Sequence, residues 1–178
     1  KGTAERVTFE PGVEAVSVWS PDGKQIAYGN AQSTAPQLRL KALNEKGEGV
    51  VFPPSPFQLP FDWSSDGRWI FYQTTGGDTN AEIWVASVPD RKIMPLVQGS
   101  FDHSQPCLSP NRRYLAFIAN ESGRREVYVQ QFEDGDPPRL TGERKRVSLN
   151  GGSFPRWRKG GKELAFLSFD RGVLSGEF

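Results

Sequence analysis

The side chains best suited to covalent or metal chemistry are few in this sequence of 178 residues. His103 is its only histidine and Cys107 is its only cysteine. A nucleophilic triad needs a nucleophile on a strained turn together with a histidine and an acid, yet no G-x-S-x-G stretch is present. No group of cysteines and histidines has the spacing of metal ligands either. We therefore expect no catalytic residue, no metal site and no cofactor, and we interpret Cys107 as a small buried side chain.

The elements that would position polar side chains recur along the chain. Trp19 opens the stretch W-S-P-D-G-K, followed by I-A-Y, and Trp63 opens W-S-S-D-G-R, followed by I-F-Y. Leu108 and Trp157 open two weaker copies, L-S-P-N-R-R and W-R-K-G-G-K. We call these four opening residues the anchors. They stand at 19, 63, 108 and 157 and are separated by 44, 45 and 49 residues. Similarity at this period indicates a repeat protein.

Each copy has the pattern of short strands joined by turns. In the first copy the expected strands span 16–19, 25–29, 38–43 and 50–52. Between the first two strands, Pro21 presets φ, Asp22 can hydrogen-bond the turn backbone and Gly23 accepts a positive φ. Helical periodicity is nearly absent, and a four-stranded unit at this spacing predicts a β-propeller blade. A β-sandwich or a meander of hairpins is the alternative, which the regular anchors disfavour.

We predict an all-β fold, a single β-propeller domain over residues 1–178 with four blades of about four antiparallel strands. The expected blades span roughly 13–53, 57–98, 102–149 and 153–178. The fourth copy stops before a fourth strand, so the segment 5–10, with Arg6–Phe9 as its strand, is expected to complete the last blade. Closing the ring in this way would hide an exposed strand edge. The alternative is an open array of four blades, which would pair with a second copy or with further blades.

Composition excludes several broad classes of function. The formal net charge is +1 and charged residues make up 24% of the chain, so no strong attraction to nucleic acid or to a membrane surface is expected. No apolar run approaches the ~18 residues of a membrane helix. One cysteine allows no internal disulfide and fits the cytoplasm and the periplasm equally well.

A basic stretch near the C-terminus raises the question of nucleic acid. Glu143 is the only acid between 139 and 162. The basic residues there are Arg139, Arg144, Lys145, Arg146, Arg156, Arg158, Lys159 and Lys162. With Trp157 among them, such a stretch could bind nucleic acid, but it is also expected to form strands of two neighbouring blades, directly after an acidic run. We interpret it as a solvated face and do not expect nucleic acid as a partner.

Function is expected where the copies differ at equivalent positions near the propeller axis, because loops on a rigid scaffold carry recognition. Five residues before the anchors stand Glu14, Gln58, His103 and Gly152. One residue before the anchors stand Val18, Asp62, Cys107 and Arg156. The predicted contacts to a ligand at the channel mouth are Glu14, Gln58, Asp62, His103 and Arg156. One hypothesis, not the favoured one, places Asp62 and Arg156 opposite each other across a narrow channel. For His103 the favoured interpretation is a polar loop residue beside Asp102 and Ser104, and a ligand contact is the alternative.

The repeats resemble the WD-repeat-like β-propellers of the TolB type, which also occur in tricorn-like proteases and in prolyl-oligopeptidase-type enzymes. The stretch from Asn150 to Trp157, N-G-G-S-F-P-R-W, is similar to the propeller tail of many bacterial serine/threonine protein kinases, although no kinase motif is present here.

The resemblance implies a non-catalytic binding, scaffold or sensory module of a larger bacterial protein, with a protein or small-ligand partner and an extracytoplasmic, periplasmic location. The alternative that it implies is an accessory propeller that gates substrate access to a hydrolase or peptidase. An open propeller would also allow a homodimer.

Overall fold

The computed structural model describes residues 4–31, 36–55, 57–75 and 80–178, and no α-helix is present across these ranges. The strands form four antiparallel sheets, which we call blades 1 to 4. Blade 1 contains β1 (Val13–Trp19), β2 (Gln25–Ala31), β3 (Gln37–Ala42) and β4 (Val50–Val51). Blade 2 contains β5 (Leu59–Trp63), β6 (Trp69–Thr74), β7 (Glu82–Ser87) and β8 (Ile93–Val97). Blade 3 contains β9 (His103–Leu108), β10 (Tyr114–Ala119), β11 (Glu126–Glu133) and β12 (Arg139–Arg146), and blade 4 contains β13 (Gly152–Trp157), β14 (Glu163–Ser168) and β15 (Gly172–Glu177).

Every blade is a meander in which consecutive strands are neighbours in the sheet. Successive blades meet through their first strands, so that β1 contacts β5, β5 contacts β9 and β9 contacts β13. First strands that line a common axis are the arrangement of a β-propeller. The predicted all-β fold of four propeller blades is therefore confirmed. No helix in the described part of the chain is long and apolar enough to span a bilayer.

The turn after the first strand is built in the same way in each of the first three blades. In blade 2, the backbone N–H of Gly67 donates to the carbonyl of Ser64 at 2.9 Å. Ser64 Oγ donates to Asp66 Oδ1 at 2.6 Å and accepts from the backbone N–H of Trp69 at 2.8 Å. Asp66 also accepts from the backbone N–H of Arg68 at 3.1 Å. The aspartates of these stretches therefore stabilise the turn by accepting hydrogen bonds within it, as the sequence pattern predicts.

Blade 3 keeps this turn with a different residue in the strained position. Asn111 takes the place of the aspartate and accepts from the backbone N–H of Arg113 at 3.1 Å. Arg112 stands where the other copies have glycine and adopts φ of 58°. Asn111 thus keeps the hydrogen bond of the aspartate, while Arg112 takes the left-handed conformation that glycine has in the other copies. Its guanidinium pairs with Asp66 and Asp134, and this offsets part of the strain.

Strands β6 and β10 are buried on both faces because blades 2 and 3, to which they belong, each pack between two other blades. Ile70 and Tyr72 belong to the core between blades 1 and 2, whereas Phe71 belongs to the core between blades 2 and 3. Phe71 packs edge-to-face on Phe132, with the ring centroids 5.6 Å apart. Burying a side chain of this size contributes about 2–3 kcal/mol. These cores fix the relative position of the first strands that carry the candidate site.

The predicted N-terminal strand was wrong. Residues 6–9 belong to no strand, and the sheet of blade 4 has three strands. The segment instead lies against blade 1, where Glu10 accepts hydrogen bonds from the hydroxyl of Tyr28 at 2.8 Å and from the backbone N–H of Gly49. A buried carboxylate needs such donors, and blade 1 supplies them. The described sheets are not closed into a ring, which corresponds to the open alternative.

Candidate functional site

The first strand of every blade carries a β-bulge near its middle. Val16 in β1, Gln105 in β9 and Phe154 in β13 stand three residues before their anchors and adopt φ of 46°, 51° and 52°. In β5 the equivalent residue is Pro60, whose ring fixes a negative φ, and the unpaired residue is its neighbour Phe61. A bulge redirects the side chains that follow it. The bulge therefore determines the direction of the side chains that stand just before each anchor residue.

Asp62 follows the bulge of β5 and joins blade 2 to blade 3. Its Oδ1 accepts from the backbone N–H of Trp63 at 2.9 Å, and its Oδ2 accepts from the backbone N–H of Leu108 at 2.6 Å. Burial raises the pKa of Asp62 to about 6, against the smaller opposing effects of these two hydrogen bonds and of the nearby Arg156 and Cys107. The carboxyl group is thus able to titrate close to neutral pH while it holds the next blade.

Cys107 and Arg156 complete a cluster with Asp62 across three consecutive blades, which we call the axial cluster. Burial and the charge of Asp62 raise the pKa of the Cys107 thiol to about 12, although Arg156 opposes this rise. The thiol is therefore protonated at neutral pH and is not a nucleophile. The guanidinium of Arg156 donates to the carbonyl of Pro155 at 2.8 Å. Arg156 acts on Asp62 through its charge, and its side chain is exposed, so it is the member of the cluster most accessible to a ligand.

Three of the residues that stand five positions before the anchors, Gln58, His103 and Gly152, make the same hydrogen bond between blades. Each donates its backbone N–H to a carbonyl that precedes the third strand of the blade before it. The pairs are Gln58 to Pro36 at 2.6 Å, His103 to Ala81 at 2.7 Å and Gly152 to Arg125 at 3.0 Å. Gln58 also uses its side chain for this purpose, since its Oε1 accepts from the backbone N–H of Leu38 at 2.8 Å. Glu14, the equivalent residue of blade 1, is exposed and lies opposite Asn30 in the sheet.

His103 is buried between blades 2 and 3 and is separate from the axial cluster. Its Nε2 lies 3.3 Å from Glu121 Oε1 and 3.2 Å from Arg144 Nη1. Burial and the charge of Arg144 lower the pKa of His103 to about 4, although Asp102 and Glu82 oppose this effect. The imidazole is therefore neutral at pH 7. His103, Glu121 and Arg144 therefore form a polar group within blade 3, and the backbone N–H of His103 supplies its hydrogen bond to blade 2.

The sequence did not reveal the partners of His103. Arg144 pairs with Glu121, and its guanidinium carbon lies 5.0 Å from the centroid of the Phe117 ring. Arg144 is on β12 and Glu121 is in the turn after β10, so only the sheet register brings the two together. The run of charged residues from Glu143 to Arg146 on β12 indicates an exposed strand and contains nothing that identifies this pair.

Several arginines of the basic stretch from 139 to 162 form ion pairs with nearby glutamates. Arg139 pairs with Glu133 at 2.5 Å and Arg158 pairs with Glu163 at 2.7 Å, while Arg144 pairs with Glu121. These cations are therefore partly neutralised within their own blades. No group of three or more potential metal ligands occurs among the residues that the structure describes.

Comparison with known proteins agrees with the geometry. No protein-family model matches the sequence. The chain is similar to the crystal structure of TolB from Acinetobacter baumannii, with a TM-score of 0.76 and 20% identity over 93% of this chain and 41% of that one. It is also similar to a TolB from Agrobacterium tumefaciens, with a TM-score of 0.77 and 18% identity over 95% of this chain and 64% of that one. A puromycin-hydrolyzing peptidase of Mycobacterium tuberculosis matches with a TM-score of 0.69 and 18% identity, over 94% of this chain and 29% of the peptidase.

The chain thus spans 41% and 64% of the length of the two TolB structures. At these levels of identity the similarity concerns the fold. It establishes that the four blades have the architecture of the TolB-type β-propellers.

Proposed function

We propose that this chain is a non-catalytic binding or scaffold module of a larger bacterial protein. The observation that carries the proposal is the axial cluster, in which three different side chains, Asp62, Cys107 and Arg156, occupy equivalent positions of a rigid repeated frame. A repeated scaffold that varies at such positions is suited to recognition. Its thiol is protonated and its carboxyl group is held by two backbone N–H groups, so these groups are suited to binding rather than to covalent catalysis.

The similarity of residues 150–157 to kinase-associated propellers supports a sensory role beside a kinase domain. The parent reading frame tests this idea directly. A kinase catalytic domain encoded upstream of this sequence supports the sensory role, whereas a hydrolase domain encoded downstream favours the second candidate, an accessory propeller that gates substrate. The similarity to a peptidase over 29% of its length is the specific observation behind that second candidate.

Assays of the purified chain test the absence of catalysis. We expect no turnover of chromogenic esters or peptide anilides beyond that of a variant in which Cys107→Ala and His103→Gln are combined. Turnover that disappears in this double variant, with the fold retained by circular dichroism, would overturn the proposal. A binding role for the axial cluster predicts that Arg156→Ala weakens ligand or partner binding while the exposed Arg158→Ala does not.

A further inference from the structure

The outer face of blade 1, which points away from blade 2, differs in chemistry from the equivalent faces of the other blades. All four blades place an aromatic ring on this face of the second strand, at Tyr28, Tyr72, Phe117 and Phe166. Directly opposite this ring on the third strand stand Trp84, Tyr128 and Leu174 in blades 2 to 4. In blade 1 that residue is Arg39. Blade 1 thus has a cation at a position where the other blades pack an apolar or aromatic side chain against the preceding blade.

Exposure of the anchor tryptophan shows that none of the four described blades covers this face. Trp63 packs against blade 1 and is 8% exposed, whereas its equivalent, Trp19, is 57% exposed. A groove of about 670 Å³ lies between blade 1 and the N-terminal segment, and Trp19, Lys41, Phe9 and Glu10 contribute to its walls. The face is thus partly covered by the segment around Glu10 and partly open.

Two buried polar side chains on this face lack hydrogen-bond partners among the residues that the structure describes. Arg39 is 6% exposed, and its Nε and Nη1 have none. Asn30 is 2% exposed, and both atoms of its amide group have none. The carboxylate of Glu48 lies 3.8 Å from Arg39 Nη1, with its own side chain 71% exposed. Such groups are normally satisfied, and a guanidinium with free donors matches a carboxylate in geometry and charge.

The same face already holds one carboxylate. Glu10 is 3% exposed and accepts hydrogen bonds from the Tyr28 hydroxyl at 2.8 Å and from the backbone N–H of Gly49. Burial alone would raise the pKa of Glu10, but these hydrogen bonds outweigh it and lower the pKa to about 2. Blade 1 therefore binds an ionised glutamate of its own chain, while Nε and Nη1 of Arg39 and the amide group of Asn30 have no hydrogen-bond partner among the described residues.

We propose that the outer face of blade 1 is a binding site for an acidic peptide and that the N-terminal segment occupies it in cis. One carboxylate of the peptide takes the place of Glu10 on Tyr28 and Gly49. A second carboxylate pairs with Arg39 and Asn30, which the N-terminal segment leaves unsatisfied, so the incoming peptide makes interactions that the segment does not. Trp19 supplies apolar contact at the edge of the site. This inference rests on the proposed binding function and assigns a ligand class to a surface outside the axial cluster.

Fluorescence anisotropy of a labelled hexaglutamate peptide, titrated with the whole chain, tests the site. The variant Glu10→Gln loses the competing carboxylate, and we expect it to bind the peptide at least tenfold more tightly than the wild type. Adding Arg39→Met to that variant should weaken binding at least tenfold. Adding Arg113→Met, an exposed arginine on blade 3, removes the same charge and should leave binding within twofold. A labelled hexaglutamine peptide should not bind.

Equal loss of binding in the Arg39 and Arg113 variants would overturn the proposal, as would equal binding by wild type and Glu10→Gln. If Arg39→Met does not fold, Asn30→Asp places a negative charge in the site and must abolish binding. Self-association of Glu10→Gln that excludes the peptide would assign the face to a second copy and overturn the proposal. Turnover in the hydrolysis assays would contradict the non-catalytic function and leave this result untouched, so the two failures are distinguishable.

Discussion

The backbone N–H of Leu108 donates to Oδ2 of Asp62 at 2.6 Å, so a carboxyl group of blade 2 holds the first strand of blade 3. In blade 3 the residue equivalent to Asp62 is Cys107, and its backbone carbonyl accepts a hydrogen bond from Trp157 Nε1 of blade 4 at 3.0 Å. Residues at the same position thus join neighbouring blades by different hydrogen bonds, through a side-chain carboxyl group in blade 2 and through a backbone carbonyl in blade 3. Arg156 occupies this position in blade 4, which no fifth blade follows in the described structure.

Stability should depend on the protonation of Asp62. Its pKa is about 6 in the folded chain and near 3.8 when exposed, so the folded state binds the proton more tightly. The resulting stabilisation is fully present below pH 4 and is lost as the pH rises through about 6, and it amounts to at most about 3 kcal/mol. Urea unfolding of the wild type and of Asp62→Asn should show a difference in stability that changes across this window in that direction.

The control for Asp62 is Glu177→Gln, which changes an exposed carboxyl group at the end of β15. We expect its stability to differ from that of the wild type by a nearly constant amount over the same window. A flat difference for Asp62→Asn would contradict the assigned pKa.

The two equivalent tryptophans should differ sharply in their contribution to stability. Trp63→Ala removes a buried side chain from the core between blades 1 and 2, and we expect a cost of about 3–5 kcal/mol. Trp19→Ala changes a side chain that is 57% exposed, and we expect a cost below about 1 kcal/mol. Chemical denaturation of both variants measures the difference. Similar costs would mean that the outer face of blade 1 is covered in solution.

The glycine of the first turn should be required for its backbone conformation alone. Gly23 has φ of 70°, and an added Cβ would meet no atom within 4 Å. Gly23→Ala should therefore cost about 1–2 kcal/mol, the strain of a left-handed L-residue. Gly176→Ala is the matched control, because its Cβ also meets nothing within 4 Å and its φ is not positive. Thermal unfolding should separate the two, and equal stabilities would refute the strain.

The titration of the single histidine should report on Arg144. The pKa of His103 is lowered to about 4, from 6.5, by burial and then by the charge of Arg144. The unfolded state thus binds the proton more tightly, and this contribution to stability is present above pH 6.5 and is lost as the pH falls through about 4. Arg144→Met should raise the pKa, measured from the imidazole proton resonances.

Arg113→Met serves as the control for Arg144, since it removes an equal charge from an exposed position of blade 3. It should leave the titration of His103 unchanged. A similar shift in both variants would indicate that the net charge of the chain, and not the contact with Arg144, sets the pKa.

Local features of the fold were predictable because they depend on residues close in sequence. The turn from Ser64 to Gly67 is made by hydrogen bonds within five positions. Its amino-acid types indicate which side chains accept these hydrogen bonds and which residue takes the positive φ. The turn of blade 3 was harder to interpret because Arg112 adopts a conformation that its side chain does not favour. Its ion pairs with Asp66 and Asp134 compensate, and they join residues that only the packed blades bring together.

The position of the N-terminal segment was not predictable for a similar reason. The residues 6–9 have the composition of a strand, and blade 4 lacks one, so closure was a reasonable expectation. Glu10 determines the outcome, since its carboxylate finds donors at Tyr28 and Gly49 on blade 1. No local pattern indicates that those donors are available.

The sequence by itself determined the all-β class, the number of blades and the hairpin turns, because strand periodicity and turn chemistry act over a few residues. Tertiary structure decided which equivalent side chains are buried and which can bind. Trp19 and Trp63 begin nearly identical stretches, yet they are 57% and 8% exposed. Burial depends on the neighbouring blade, and the neighbour of a blade is a property of the assembled array rather than of the repeat.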